Sequence, residues 1–112
     1  MIGIDIVEVK RIQKLIENDA HAKRLFATEE IDYANKNSFP AMHLAGFFCA
    51  KESTIKALGG GFVTEVVVLH NEFGKPFVML KGKTKELLGD KKIEISISHT
   101  NEYATAICLI TE

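Results

Sequence analysis

The chain has no tryptophan, only two prolines and two cysteines, and almost no net charge, −1 over 112 residues with histidines neutral. Each shortage closes off a class of protein. Cys49 and Cys108 sit in separate apolar segments, with no CxxC and no Cys/His ligand spacing, so a disulfide framework and a zinc module are both disfavoured. They read as buried free thiols. A charge near zero gives no overall pull toward nucleic acid or acidic lipid, so a charged partner has to be met by a local patch. No apolar run reaches membrane-spanning length, and Met1-Ile-Gly-Ile-Asp5 lacks a signal-peptide pattern, which makes a cytoplasmic protein the expectation. Repeats and low-complexity tracts are absent. The length fits one domain, residues 1–112, with a core modest enough that oligomerisation is a natural way to complete it.

What is present gathers around residues 44–61. Leu44, Phe47, Phe48, Ile55 and Leu58 recur at helical spacing, and the segment runs into Gly59, Gly60 and Gly61. Glu52 and Lys56 project from one side of this helix, a turn apart. An exposed ion pair in this order contributes a few tenths of a kcal/mol and nothing else. Two features argue for more than that: the helix is too apolar around the pair to lie on an outer surface, and a second carboxylate stands in an odd place, at Asp5.

Residues 2–7 alternate as a first strand, Ile2, Ile4 and Ile6 to one side and Gly3, Asp5 and Val7 to the other. An acidic residue is unfavourable in such a strand. A basic partner, a cap role or a metal would compensate it, unless Asp5 lies on an edge strand in water. Glu8 to Glu17 reads as a short amphipathic helix, stopped by Asn18-Asp19, and a second helical segment covers roughly Thr28 to Ala34. Arg11, Lys14, Lys23 and Arg24 concentrate positive charge in the first third, which is ordinarily a solvated face and would equally suit an acidic partner. Pro40 fits the first turn of the central helix. The glycines end that helix, or bring backbone close to a phosphate or other ligand; following rather than preceding it, they form no nucleotide fingerprint.

The second half reads as two hairpins. Thr64 to His70 and Pro76 to Lys81 flank the turn Asn71–Lys75, and Lys92 to Ser98 and Tyr103 to Ile110 flank the loop Ser98–Glu102, with a short helix at Gly82 to Leu88 between them. The fold class is therefore α+β, an antiparallel sheet of hairpins packed against a long central helix. His99, with Ser98 and Thr100 beside it, offers imidazole and hydroxyl donors suited to a phosphate. It is equally an ordinary loop residue.

Four stretches then fit together: Gly3-Ile-Asp5-Ile with Lys10-Arg11-Ile12; Phe48-Cys-Ala-Lys51-Glu52-Ser-Thr-Ile-Lys56-Ala-Leu-Gly59; Asn71-Glu-Phe-Gly74-Lys75-Pro76; and Ile97-Ser98-His99-Thr100-Asn-Glu-Tyr103-Ala-Thr-Ala106. In this order they resemble the 4′-phosphopantetheinyl transferase superfamily, of the short holo-acyl-carrier-protein synthase type. The resemblance implies transfer of phosphopantetheine from coenzyme A to a serine of apo acyl carrier protein in fatty acid biosynthesis, releasing adenosine 3′,5′-bisphosphate. It implies Mg²⁺ held by Asp5 and Glu52, and Lys56 stabilising or protonating the departing phosphate. It leaves either Glu52 or a water on the metal to take the serine proton.

Ser98, His99, Thr100, Gly59 and Gly60 match positions around coenzyme A, and Lys75 and Pro76 match a loop near its nucleotide. The set Arg11, Lys14, Lys23 and Arg24 matches the docking surface for the carrier protein, and the assembly implied is a trimer with sites at subunit junctions. One departure stands out: Phe47 occupies a position where many relatives carry Arg, and Lys36 or Lys51 is the substitute cation if that Arg meets a phosphate. The segment between Gly61 and Glu65 is also compressed. The rival readings are a catalytically silent coenzyme A-binding module and a scaffold that only binds carrier protein.

Overall fold

The computed structural model describes all 112 residues. Along the chain lie β1 (Ile2–Glu8), α1 (Val9–Leu15), α2 (Asp19–Leu25), α3 (Thr28–Asn35), α4 (Pro40–Leu58), a 3₁₀ turn at Val63–Glu65, β2 (Val66–His70), β3 (Pro76–Leu80), α5 (Gly82–Leu88), β4 (Lys92–His99) and β5 (Tyr103–Thr111). Both hairpins form, but the strands divide into two antiparallel sheets, β1-β5-β4 and β2-β3, rather than one. The first strand crosses the chain to pair with the last. Asp5 stands opposite Ala106, and Ile97 opposite that same alanine on the other side. Helix α2 was not evident in the sequence. Asn18 caps it, its side chain accepting from the His21 N–H at 3.2 Å, as its position before the helix favours.

Helix α4 starts on Pro40 and stops at Gly59, whose φ of 76° is left-handed and whose N–H bonds the Ile55 carbonyl at 2.9 Å. It packs on the three-stranded sheet through small residues. A Cβ added at Gly3 would lie 2.0 Å from the Ser53 carbonyl oxygen, and one at Gly46 would lie 2.8 Å from the Ile97 side chain. Ala104, Ala106 and Cys108 of β5 are buried against the same helix. This close approach decides which face of β1 turns inward. Gly3, Asp5 and Val7 meet α4, while Ile2, Ile4 and Ile6 are more than 60% exposed beside Ile107 and Leu109.

A buried ion pair ties the helices to the second sheet. The Lys51 ammonium lies 2.7 Å from Glu30 Oε1, both side chains at most 1% exposed, and also donates to the Val66 carbonyl. Glu30 in turn accepts from the Ala27 and Val68 N–H groups, each at 2.8 Å. Burial pulls the Lys51 ammonium below its ordinary value, with Glu30 acting against that. Lys51 is therefore spoken for, and it cannot stand in for a missing phosphate-binding arginine at position 47. Lys36, at the end of α3, is exposed.

Both cysteines are free and fully buried. The Cys49 thiol donates to the Ala104 carbonyl at 3.3 Å, and burial, then the charge of Asp5, push its pKa up to about 12. Neither thiol is expected to react with a thiol-exchange reagent in native protein at pH 8, and both should react in guanidinium. Fast labelling of Cys49 in native protein would contradict this packing.

Candidate active site

A charged pair meets where β1 crosses α4, and Glu52 stands one helical turn from it. Glu52 and Lys56 rise from consecutive turns of the helix, and Asp5 descends from the strand, two residues past the glycine that lets the backbones touch. Lys56 Nζ is 3.1 Å from Asp5 Oδ1 and 3.0 Å from the Ile4 carbonyl. Of the compensations the sequence left open for Asp5, a basic partner is thus present, and the carboxylate, 16% exposed, does not simply lie in water. Thr105 Oγ1 donates to the Asp5 carbonyl at 2.7 Å and fixes the strand there.

The donor set is all oxygen, two carboxylates. No group of three or more His, Cys, Asp or Glu side chains gathers anywhere as a cage for a metal. Two carboxylates fit the open kind of site in which Mg²⁺ takes one or two protein oxygens and fills its shell with phosphate oxygens and water. The main concavities lie elsewhere; one of about 520 Å³ is lined by residues that include Lys23, Phe26, Thr28, Glu29, Asp32 and Lys81. The Asp5–Glu52–Lys56 group is an open edge of the chain rather than a closed pocket.

The remaining expected residues divide. Ser98, His99 and Thr100 are exposed at the end of β4 and just beyond it. By strand alternation, Asp5, Ile97 and His99 share the sheet face that covers α4, with β5 between β1 and β4. Gly59 and Gly60 close α4 one turn beyond Lys56; a side chain at Gly59 would meet nothing within 4 Å, so its φ is what requires glycine. Gly61 lies against Thr84, whose hydroxyl accepts from the Phe62 N–H at 2.9 Å. Lys75 and Pro76 sit apart, in a groove shared with Asn71, Phe77, Ile93 and Glu94, and no hydrogen bond or ion pair joins them to the carboxylates. Arg11 and Lys14 on α1, and Lys23 and Arg24 on α2, are all exposed, although Asp19 pairs with Lys23 at 2.9 Å.

Sequence reasoning missed a cluster of rings. Tyr33 of α3 stacks on His70 at 3.8 Å and 3°, Phe47 leans on both at 5.6 Å, and His43 meets Tyr33 edge-on at 5.9 Å. His43 in turn meets His99 at 5.3 Å and 74°. Burial lowers the pKa of both His43 and His70, with a further push from the neighbouring imidazole. Phe47 thus belongs to an aromatic core. No spacing along the chain announces it, because its members come from four elements.

Residues 1–108 match the family model described as "4′-phosphopantetheinyl transferase superfamily". The chain belongs to that superfamily. A holo-[acyl-carrier-protein] synthase of Caldanaerobacter subterraneus subsp. tengcongensis is 44% identical over 116 residues, covering 96% of this chain and 91% of the relative. Among solved structures, the holo-[acyl-carrier-protein] synthase of Helicobacter pylori in complex with coenzyme A superposes with a TM-score of 0.83 at 27% identity, covering 99% of this chain and all of the other. A Chronobacterium ammoniagenes ACPS–CoA complex gives 0.84 at 30% identity, covering 98% and 95%. The α+β arrangement of this chain is thus that of known phosphopantetheinyl transferases.

Proposed function

We propose that the chain is a holo-acyl-carrier-protein synthase, moving 4′-phosphopantetheine from coenzyme A to a serine of apo acyl carrier protein and releasing adenosine 3′,5′-bisphosphate, for fatty acid biosynthesis in the cytoplasm. The observation that carries this reading is the Asp5–Lys56 pair at the β1–α4 crossing, with Glu52 one turn before Lys56 on the helix, in a chain 44% identical to a synthase of that name. Asp5 and Glu52 would hold Mg²⁺, and a cation there would supply neutralisation of the pyrophosphate charge.

Lys56 accepts the pull of Asp5 in the free protein and turns its ammonium to the departing phosphate oxygen when substrate is present. Glu52 stands next to the attacking hydroxyl as one of two candidates for taking its proton. Ser98, His99 and Thr100 face a coenzyme phosphate, as do the backbone groups of Gly59 and Gly60. Lys75 and Pro76 contact the nucleotide, from a neighbouring subunit's hairpin rather than from the same chain. Arg11, Lys14, Lys23 and Arg24 steer the acidic carrier, an effect that salt screens.

The 112 residues act as one domain and assemble as a trimer. The exposed stripe of Ile2, Ile4, Ile6, Ile107 and Leu109 supports self-association, since a contiguous apolar face of this kind marks an interface. Sedimentation should report three copies of the 12.4 kDa chain, and Ile4→Lys should give a monomer with little activity. A wild-type monomer that is fully active would remove the trimer.

Mass spectrometry of apo carrier protein incubated with this protein, coenzyme A and Mg²⁺ tests the reaction itself. The carrier should gain one phosphopantetheine arm, and the gain should vanish with EDTA. Coenzyme A binding without any gain would leave a silent binding module, and carrier binding alone a scaffold.

A further inference from the structure

We infer that His43 is a positioning residue for His99, its ring setting the direction in which the His99 imidazole presents its nitrogens. The inference rests on the proposed role of His99 as a coenzyme phosphate contact. His99 stands at the exposed end of β4, where the strand ladder stops at its pairing with Ala104. No hydrogen bond or ion pair holds its side chain; what bounds it is packing. The His43 ring stands edge-on at 5.3 Å and 74°, and the backbone of Gly46, one turn further along α4, leaves its Cβ position 3.8 Å from His99 Cδ2. An imidazole with no other restraint takes its orientation from these two surfaces.

His43 is itself held. Half-buried on α4, it rests edge-on against Tyr33, which is stacked flat on His70. A short relay of rings therefore runs from the buried Phe47, through the half-buried Tyr33 and His70, to the exposed His99. The titratable groups facing His43 are His99 from β4, Tyr33 from α3 and, one ring further, His70 from β2; none of the three histidines is in an ion pair. Burial and the nearby His99 both lower the pKa of His43, which favours its neutral form beside the phosphate contact.

The test is a double-mutant cycle on coenzyme A affinity, read by calorimetry on the folded assembly, with melting temperatures as the folding control. His99→Ala should weaken binding about tenfold, the loss of one charge-assisted hydrogen bond. His43→Ala should weaken it about threefold, and His43→Phe, which keeps the ring edge, should restore affinity to within about twofold of wild type. Because His43 acts through His99, the double alanine variant should bind no more weakly than His99→Ala alone. Proton NMR adds a readout that general destabilisation would not give: in His99→Gln the titration midpoint of His43 should rise, as a like charge has been removed.

If His99→Ala binds coenzyme A as wild type does, the phosphate role of His99 falls and the positioning role falls with it. If His99→Ala is weak but His43→Ala is normal, or if the two losses multiply, only the positioning role is overturned.

Discussion

Glu52→Gln is expected to lower carrier-protein modification by roughly a hundredfold or more while leaving the melting temperature within a few degrees. The change is isosteric and half-buried, so packing along α4 survives. What disappears is one of only two carboxylates at the β1–α4 crossing, and with it half of the protein's charge for a hard cation. Isothermal titration with Mg²⁺ separates the consequences: loss of turnover together with loss of metal affinity assigns Glu52 to the metal. Loss of turnover with metal affinity intact assigns it to the proton of the serine. Near-normal turnover would remove it from the site altogether.

The second large effect is on stability. Lys51→Met leaves the Glu30 carboxylate fully buried without its counter-ion, and breaking such a pair from one side costs about 3–5 kcal/mol. For a chain of this size that corresponds to a fall in melting temperature of about 15 °C or more. Adding Glu30→Gln removes the stranded charge and keeps an oxygen for the N–H groups of Ala27 or Val68, so the double variant should recover most of the loss. Guanidinium unfolding at one fixed protein concentration measures the coupling. A double variant no better than Lys51→Met would show that the pair is not the unit of stability its geometry describes.

That pair also shows where reading the chain alone runs out. Lys51 sits beside Glu52 in a charged-looking Lys-Glu step, and nothing local separates the one that is buried from the one that is half-exposed. The partner of Lys51 lies 21 positions back, on another helix. The strands of the two hairpins were legible because alternation and turn residues are local signals. Their division into two sheets was not, because β1 returns to β5 across the whole chain. In β1 itself, alternation identified two faces but not which one turns inward. Isoleucine side chains would ordinarily claim the core, and Gly3 wins it because α4 comes too close for them.

At the site, the helical spacing of Glu52 and Lys56 and the misfit of Asp5 were visible in sequence. The ion pair that joins Asp5 to Lys56 resolved the misfit in a way spacing could not. Helix α2, two turns long, has too few residues for a periodicity to declare itself. The ring cluster is drawn from α3, α4, β2 and β4, and so belongs wholly to tertiary structure.

Gly3 touches no substrate, yet it behaves as the jaw setting of a calliper. The gap between Asp5 on the strand and Glu52 on the helix is fixed by how nearly two backbones can approach, and at Gly3 the space for even a methyl group is already filled by the Ser53 carbonyl. Any side chain there would have to force the strand and the helix apart, at a cost to the packing of both. On the proposed reading cation binding would fall together with stability, so the spacing of the two carboxylate-bearing elements is governed by a residue with no chemistry of its own.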